Sequence, residues 1–268
     1  MPPCDDHLVP THSHRGVFTI TLNNPPTKNA LSLEMFDALE RAVETARKCA
    51  QRGETIVVVL RSHGNAFCAG FDLNQCVCDP SLLASFVDRL GKLATSLRTL
   101  PAVVVARVHG PALAGGCALV AACDIVCASE SATFGYPVHR IGISPAVSLP
   151  TLMATSGLGG ARALTMSGEI VNARRARELG LVHFIATDEQ SLHQLESDIT
   201  ESLIKKGPTA LRATKQWLNE VDGTAPDGAL GRRAFDATNA TIALTREPEA
   251  TSLLNEFWKS RNDRKGST

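Results

Sequence analysis

Apolar positions along the chain change their period several times, and each change marks an element. "GVFTITLN" (Gly16–Asn23) alternates and is rich in β-formers, which predicts a strand. Leu33, Phe36, Leu39, Ala42, Val43 and Ala46 recur at helical spacing behind Ser32. That predicts a helix from Leu33 to about Lys48, with Ser32 as its cap. "TIVVVLRS" and "AVVVARVHG" are unbroken β-branched runs, so both read as buried strands. Between them, "HGNAFCAGFDLNQC" reads as a loop, and Leu82 to Leu100 as a helix stopped by Pro101. A helix opening at Gly115–Gly116 follows, then short strands "IVCAS" and "ATFGY". Beyond Pro145 helices dominate: Ser148–Ser156, Gly160–Ser167, Ala173–Leu179, Ser191–Lys206, Pro208–Val221, Ala229–Thr245 and Pro248–Lys259. Asn172 fits an N-cap and Pro248 a first helical position. "LVHFIA" is a strand among them. Alternating β and α followed by helices predicts an α/β core with a helical C-terminal extension.

The 268 residues, 44% of them hydrophobic, suffice for one substantial core. Lys+Arg and Asp+Glu both number 27, which argues against a nucleic-acid partner. No run approaches the roughly 20 apolar residues of a membrane span. The N-terminus lacks the apolar stretch of a signal peptide, so a cytoplasmic protein with its eight cysteines reduced is expected. Cys76 and Cys78 form a lone C-x-C pair without a second pair, which gives no metal site. Cys4, His7, His12 and His14 fall in a polar N-terminal segment, residues 1–14, expected to be mobile.

Two glycine-bearing loops each follow a buried strand: "NAFCAGFDL" and "GPALAGGC". In parallel α/β structure such loops share a crevice at the carboxyl ends of the strands. A helix starting at Gly115–Gly116 adds unsatisfied N–H groups there. One N–H from each loop would make an oxyanion hole.

With these loops in place, the order "NNPPTKNALS", "GNAFCAGFDL", "VHGPALAGGCALVAACDIVCA", "ATFGYPVHRIGISPA" and "SGEIVNARRARELGLV" resembles the crotonase, or enoyl-CoA hydratase/isomerase, family from about residue 15 onward. The resemblance implies a spiral of ββα units over residues 15–195. Residues 196–268 would form a helical region that assembles a homotrimer or a dimer of trimers. It implies an acyl-CoA thioester as substrate and no separate cofactor. The oxyanion donors would be the backbone N–H groups of Phe71 and Gly115. CoA would lie along Lys28, Asn29 and Ala30, and its pantetheine along Cys68, Gly70, Asp72, Leu73 and Asn74. Phe257 and Lys259 match an aromatic and a base that a neighbouring subunit supplies.

The family's hydratases use two glutamates, and the matching positions here are Ala118 and Val138; a third acid position falls at Ala146. General acid–base groups contribute about 10²–10⁴-fold each, so hydration would be poor unless another group stands in. Tyr136 is a candidate, placed with Val138 on one face if the strand runs on. Asp72 and Asp124 read as structural acceptors, His109 as a supporting residue, and His139 with Arg140 as a surface or trimer contact. Cys68 and Cys117 read as packing residues. Three readings follow: a hydratase or isomerase with unusual acid–base groups, a decarboxylase of malonyl-type thioesters that relies on the oxyanion hole, and a silent CoA-thioester binder.

Overall fold

The computed structural model describes residues 7–265. Nine strands and ten helices occur among the described residues. In chain order they are β1 (Thr11–His14), β2 (Val17–Leu22), α1 (Leu33–Gln51), β3 (Val57–Ser62), α2 (Leu73–Cys78), α3 (Ser81–Arg98), β4 (Val103–Val108), β5 (Ala112–Leu113), α4 (Gly115–Ala121), β6 (Ile125–Ser129), β7 (Thr133–Gly135), α5 (Leu149–Ser167), β8 (Ile170–Asn172), α6 (Ala173–Glu178), β9 (Phe184–Ala186), α7 (Glu189–Ile204), α8 (Pro208–Asp222), α9 (Ala229–Thr245) and α10 (Pro248–Lys265).

One sheet has the order β1-β2-β3-β4-β6-β9, parallel except for the β1–β2 hairpin. A second, shorter sheet pairs β5, β7 and β8. Single bridges between Leu31 and Phe71 and between Cys68 and Ala112 continue its line. Each turn of the chain therefore places one segment in the large sheet, one in the small sheet and then a helix. Both faces of the large sheet are covered, which explains the unbroken apolar runs. Val58, Leu60, Val104 and Ala106 join the main core with α1 and α3. Val57, Val59, Val103 and Val105 pack under Leu192 and Leu203 of α7.

Local signals set the ends. Ser32 accepts the Met35 N–H and caps α1, Asn172 accepts the Arg175 N–H and caps α6, and Pro248 opens α10. Gly157 breaks the helical backbone inside α5, where the sequence pattern separates two helices.

Several short elements depart from the sequence reading, among them β5, which falls in the loop "GPALAGGC". Thr11–His14, assigned to a mobile segment, forms an edge strand on β2, and Val9 just before it is buried. The two-residue Arg15–Gly16 turn, both with positive φ, closes that hairpin, as tight hairpin turns require. Cys4 lies outside the described residues. Residues 73–76, read as loop, belong to α2, whose start the Asp72 side chain caps. Ile170–Asn172 forms β8, a three-residue strand too short to show a period.

The helical region is tied to the core by a buried ion pair. Lys215 Nζ on α8 donates to Asp124 Oδ2 at 2.7 Å and to the Ala102 carbonyl at 3.0 Å. Asp124 also accepts the Val104 N–H, the structural role expected of it. Removing one partner of a buried pair strands the other. Lys215→Ala is thus expected to lower the unfolding free energy by about 3–5 kcal/mol, read as a shifted urea midpoint.

Candidate active site

The two glycine loops meet. Asn29 holds the first of them: its Nδ2 donates to the carbonyls of His63 and Ala66, both at 2.9 Å, and its Oδ1 accepts the Asn24 N–H. Lys28 and Asn29 both adopt left-handed backbone, and the Lys28 carbonyl accepts the Ala69 N–H. The loop of residues 24–30 is thereby clamped to the loop after β3.

Residues 67–72 run between two neighbours. On one side Leu31 donates to the Gly70 carbonyl and accepts the Asp72 N–H. Alternation along an extended segment turns the Phe71 N–H to the other side. On that side lie β5 and Gly115, where the Cys68 carbonyl accepts the Leu113 N–H at 2.9 Å. The approach is close. A Cβ on Gly70 would sit 2.9 Å from the Ala114 Cβ and 3.4 Å from the Gly115 nitrogen. Gly116 packs equally tightly on the Cys68 carbonyl. Neither the Phe71 N–H nor the Gly115 N–H has an acceptor among the described residues. Ala114, just before Gly115, holds φ 49° and ψ −114°, a conformation that costs an L-residue about 1–3 kcal/mol. Strain of this kind collects where a backbone group must be aimed.

Both N–H-bearing residues line a cavity of about 460 Å³. Lys28, Ala30, Asp72, Leu73, Asn74, Tyr136, Val138 and Phe257 line it too. Asn29, Cys68, Gly70, Ala118 and Lys259, all singled out from the sequence, do not. Cys68 is fully buried behind the loop, with its backbone spent on β5. Gly70 acts only by letting the loops approach. Ala118 is fully buried inside α4, and its N–H closes the first turn on Ala114. Lys259 is exposed and also lies off the cavity wall. Phe257 reaches the cavity of its own chain, where a neighbouring subunit's helix was expected to supply it. The reason is that α10 folds back across residues 137–142, and Gly142 has no room for a Cβ against Ala250.

The strand carrying Tyr136 ends at Gly135, and Pro137–Ile141 is a 3₁₀ turn. The alternation expected for Tyr136 and Val138 therefore does not apply, yet both reach the cavity. Arg140, expected at a surface or trimer contact, lines the cavity as well. Sequence reasoning also missed the far walls. Val87 and Leu90 come from α3, Ile143 and Val147 from the segment before α5, and Thr241 from α9. Nothing in their local pattern distinguishes a cavity wall from core.

The lining is electrostatically lopsided. Asp72 is its only carboxylate among the described residues, and it caps α2 by accepting the Asn74 N–H at 3.0 Å. Lys28 and Arg140 have no ion-pair partner among the described residues. The wall can thus receive an anionic ligand, and it places no acid–base carboxylate at Val138. His109 supports the loop from outside the cavity, through its Nε2 on the Gly64 carbonyl at 2.8 Å. Burial pushes the Cys68 and Cys117 thiols up to about 12, so neither is a nucleophile at neutral pH. Iodoacetamide at pH 8 is expected to label exposed Cys78 in the native protein. Cys68 and Cys117 should be labelled only after unfolding, as peptide mass mapping would show.

Residues 12–237 match the family model described as enoyl-CoA hydratase/isomerase. The chain belongs to this family, the crotonases. It is 36% identical over 233 residues to a putative enoyl-CoA hydratase of Thermus thermophilus, covering 85% of this chain and 90% of the relative. It is 31% identical over 228 residues to the 2,3-dehydroadipyl-CoA hydratase of Escherichia coli, covering 84% and 88%. An enoyl-CoA hydratase/isomerase structure from Xanthobacter autotrophicus superposes with a TM-score of 0.83 at 27% identity, over 92% and 91% of the two chains. The ββα spiral of this crotonase is thus the family fold, and acyl-CoA processing is the family's chemistry.

Proposed function

We propose that this crotonase binds an acyl-CoA thioester with its carbonyl oxygen on the Phe71 and Gly115 N–H groups and stabilises the enolate formed there. The observation that carries the reading is the pair of N–H groups, adjacent, without acceptors, on one cavity wall. Charge that gathers on a thioester oxygen when the α-carbon becomes a carbanion equivalent is what such donors stabilise. Lys28 at the mouth is suited to the CoA phosphates. The exposed apolar side chains of α8 and α9, Trp217, Val221 and Phe235 among them, fit a homotrimer or a dimer of trimers. The test is hydration of a short 2-enoyl-CoA by the purified protein, with Gly115→Pro as control. Turnover that the control abolishes supports the reading; turnover that survives it overturns it. Binding without turnover on any thioester would leave a silent binder.

One observation favours a second reaction. The wall has Val138 where a hydratase places an acid, and the sole lining carboxylate is engaged as a helix cap. Decarboxylation of a malonyl-type thioester needs no strong base. The electron pair of the breaking C–C bond becomes the enolate, CO₂ leaves, and the α-carbon takes a proton from water. Val138→Glu puts a carboxylate on the cavity wall. It is expected to raise 2-enoyl-CoA hydration by about 10²-fold, the low end of a general acid–base contribution. A coupled spectrophotometric assay would show it.

A further inference from the structure

Among the apolar residues of the cavity wall, Tyr136 stands apart. It is 1% exposed, and its hydroxyl has no hydrogen-bond partner. The Ser148 hydroxyl and the Cys117 thiol lie near enough to act on the phenol, but neither completes a hydrogen bond with it. Ser148 is 2% exposed and also lines the cavity. Leaving such a hydroxyl unsatisfied costs about 1–3 kcal/mol, so a fold carries it where something else completes it. Burial pushes the phenol well above the ordinary tyrosine range, which keeps it a neutral donor and rules it out as a base near neutral pH. As a neutral donor it calls for an acceptor, and an oxygen of a bound ligand can supply one.

Position says where that oxygen sits. β5 pairs with β7 so that Leu113 faces Gly135, and the Ala114 N–H donates to the Gly135 carbonyl at 2.8 Å. Tyr136 is the next residue, beside Gly115. A thioester oxygen on the Gly115 N–H leaves the first carbons of the acyl chain beside Tyr136 and Ser148. We propose that the Tyr136 and Ser148 hydroxyls select acyl-CoA thioesters that carry an oxygen on carbon 3 of the acyl chain. This rests on the thioester site argued above. The oxygen can belong to a hydroxyl or to a carboxylate, and the ligands below separate the two. Val138, Ile141, Ile143 and Val147 give an oxygen there no other polar side chain of their own.

The test is calorimetric titration of the full-length protein with butyryl-CoA, 3-hydroxybutyryl-CoA and malonyl-CoA. Wild type is expected to bind at least one oxygen-bearing ligand about tenfold more tightly than butyryl-CoA. Tyr136→Phe keeps the ring and removes the donor. It should bring that ratio to about one, and Ser148→Ala should reduce the ratio in the same direction. A merely structural tyrosine would move all affinities together. Equal affinities in wild type, or a preference that Tyr136→Phe leaves intact, would overturn the inference while leaving the thioester site standing. A protein that binds none of the three ligands would overturn the thioester site, and this inference with it.

Discussion

Gly115→Pro is expected to lower turnover of a thioester substrate by about 10²–10³-fold. Proline removes the N–H, and it also restricts Ala114, whose φ 49° and ψ −114° lie outside the extended backbone favoured before proline. Gly115 is the first residue of α4, where the N–H has no helical acceptor and proline's fixed φ is tolerated. The added carbons meet the Cδ1 tip of Leu31, a flexible side-chain end. Loss of one preorganised donor costs about 3–4 kcal/mol of barrier, which is the stated fall in rate. Gly115→Ala is the matched control. It brings the same contact with Leu31 but keeps the N–H, so it should retain most of the activity. Steady-state kinetics with thermal melts of all three proteins decide the matter. Equal losses in the two variants would mean that crowding, rather than the donor, explains the effect.

Gly70→Ala should be harsher on the fold and comparably harsh on activity. Gly70 has φ +93°, and a Cβ there would sit 2.9 Å from the Ala114 Cβ and 3.2 Å from the Leu113 carbonyl oxygen. Neither neighbour can swing aside. Backbone strain and overpacking together amount to about 2–4 kcal/mol. Relief of the clash requires the Phe71 and Gly115 backbones to separate, and a displacement of about 1 Å at reacting groups costs roughly 10²-fold in rate. Gly53 provides the comparison. Its φ is +79°, with nothing within 4 Å of a Cβ. Gly53→Ala should lose about 1 kcal/mol of stability and no activity. Urea unfolding and kinetics on the same samples separate strain alone from strain at the loop contact.

The parts of this fold legible in the sequence are those with a long period or a distinctive cap. The runs at Val57–Ser62 and Val103–Val108 could only be strands buried on two sides. α1 shows both its stripe and its Ser32 cap. The junction at Gly115–Gly116 stands out because a strand ends and a helix begins there without a polar residue between them. What the pattern hides is short or depends on distant partners. β8 is three residues long, and β1 exists because β2 offers it an edge. α2 owes its start to one aspartate that resemblance assigned to ligand binding. The site divides in the same way. The Phe71 and Gly115 loops could be placed from glycine spacing and resemblance. Cys68 and Ala118 could not be excluded from the cavity without the packing of α4 on the Cys68 loop. Phe257 was tied to a neighbouring subunit because the return of α10 over residues 137–142 leaves no trace in local periodicity. The Tyr136 residue was visible as the only tyrosine, but its missing hydrogen-bond partner is a property of three dimensions.

The most direct test of the central claim is a crystal structure of the protein with butyryl-CoA bound. The thioester oxygen is expected 2.7–3.1 Å from both the Phe71 and the Gly115 backbone nitrogens, the roughly optimal donor range for an oxyanion, with the acyl chain beside Tyr136. A thioester oxygen beyond hydrogen-bond reach of either nitrogen, or an acyl-CoA seated outside this cavity, would contradict it.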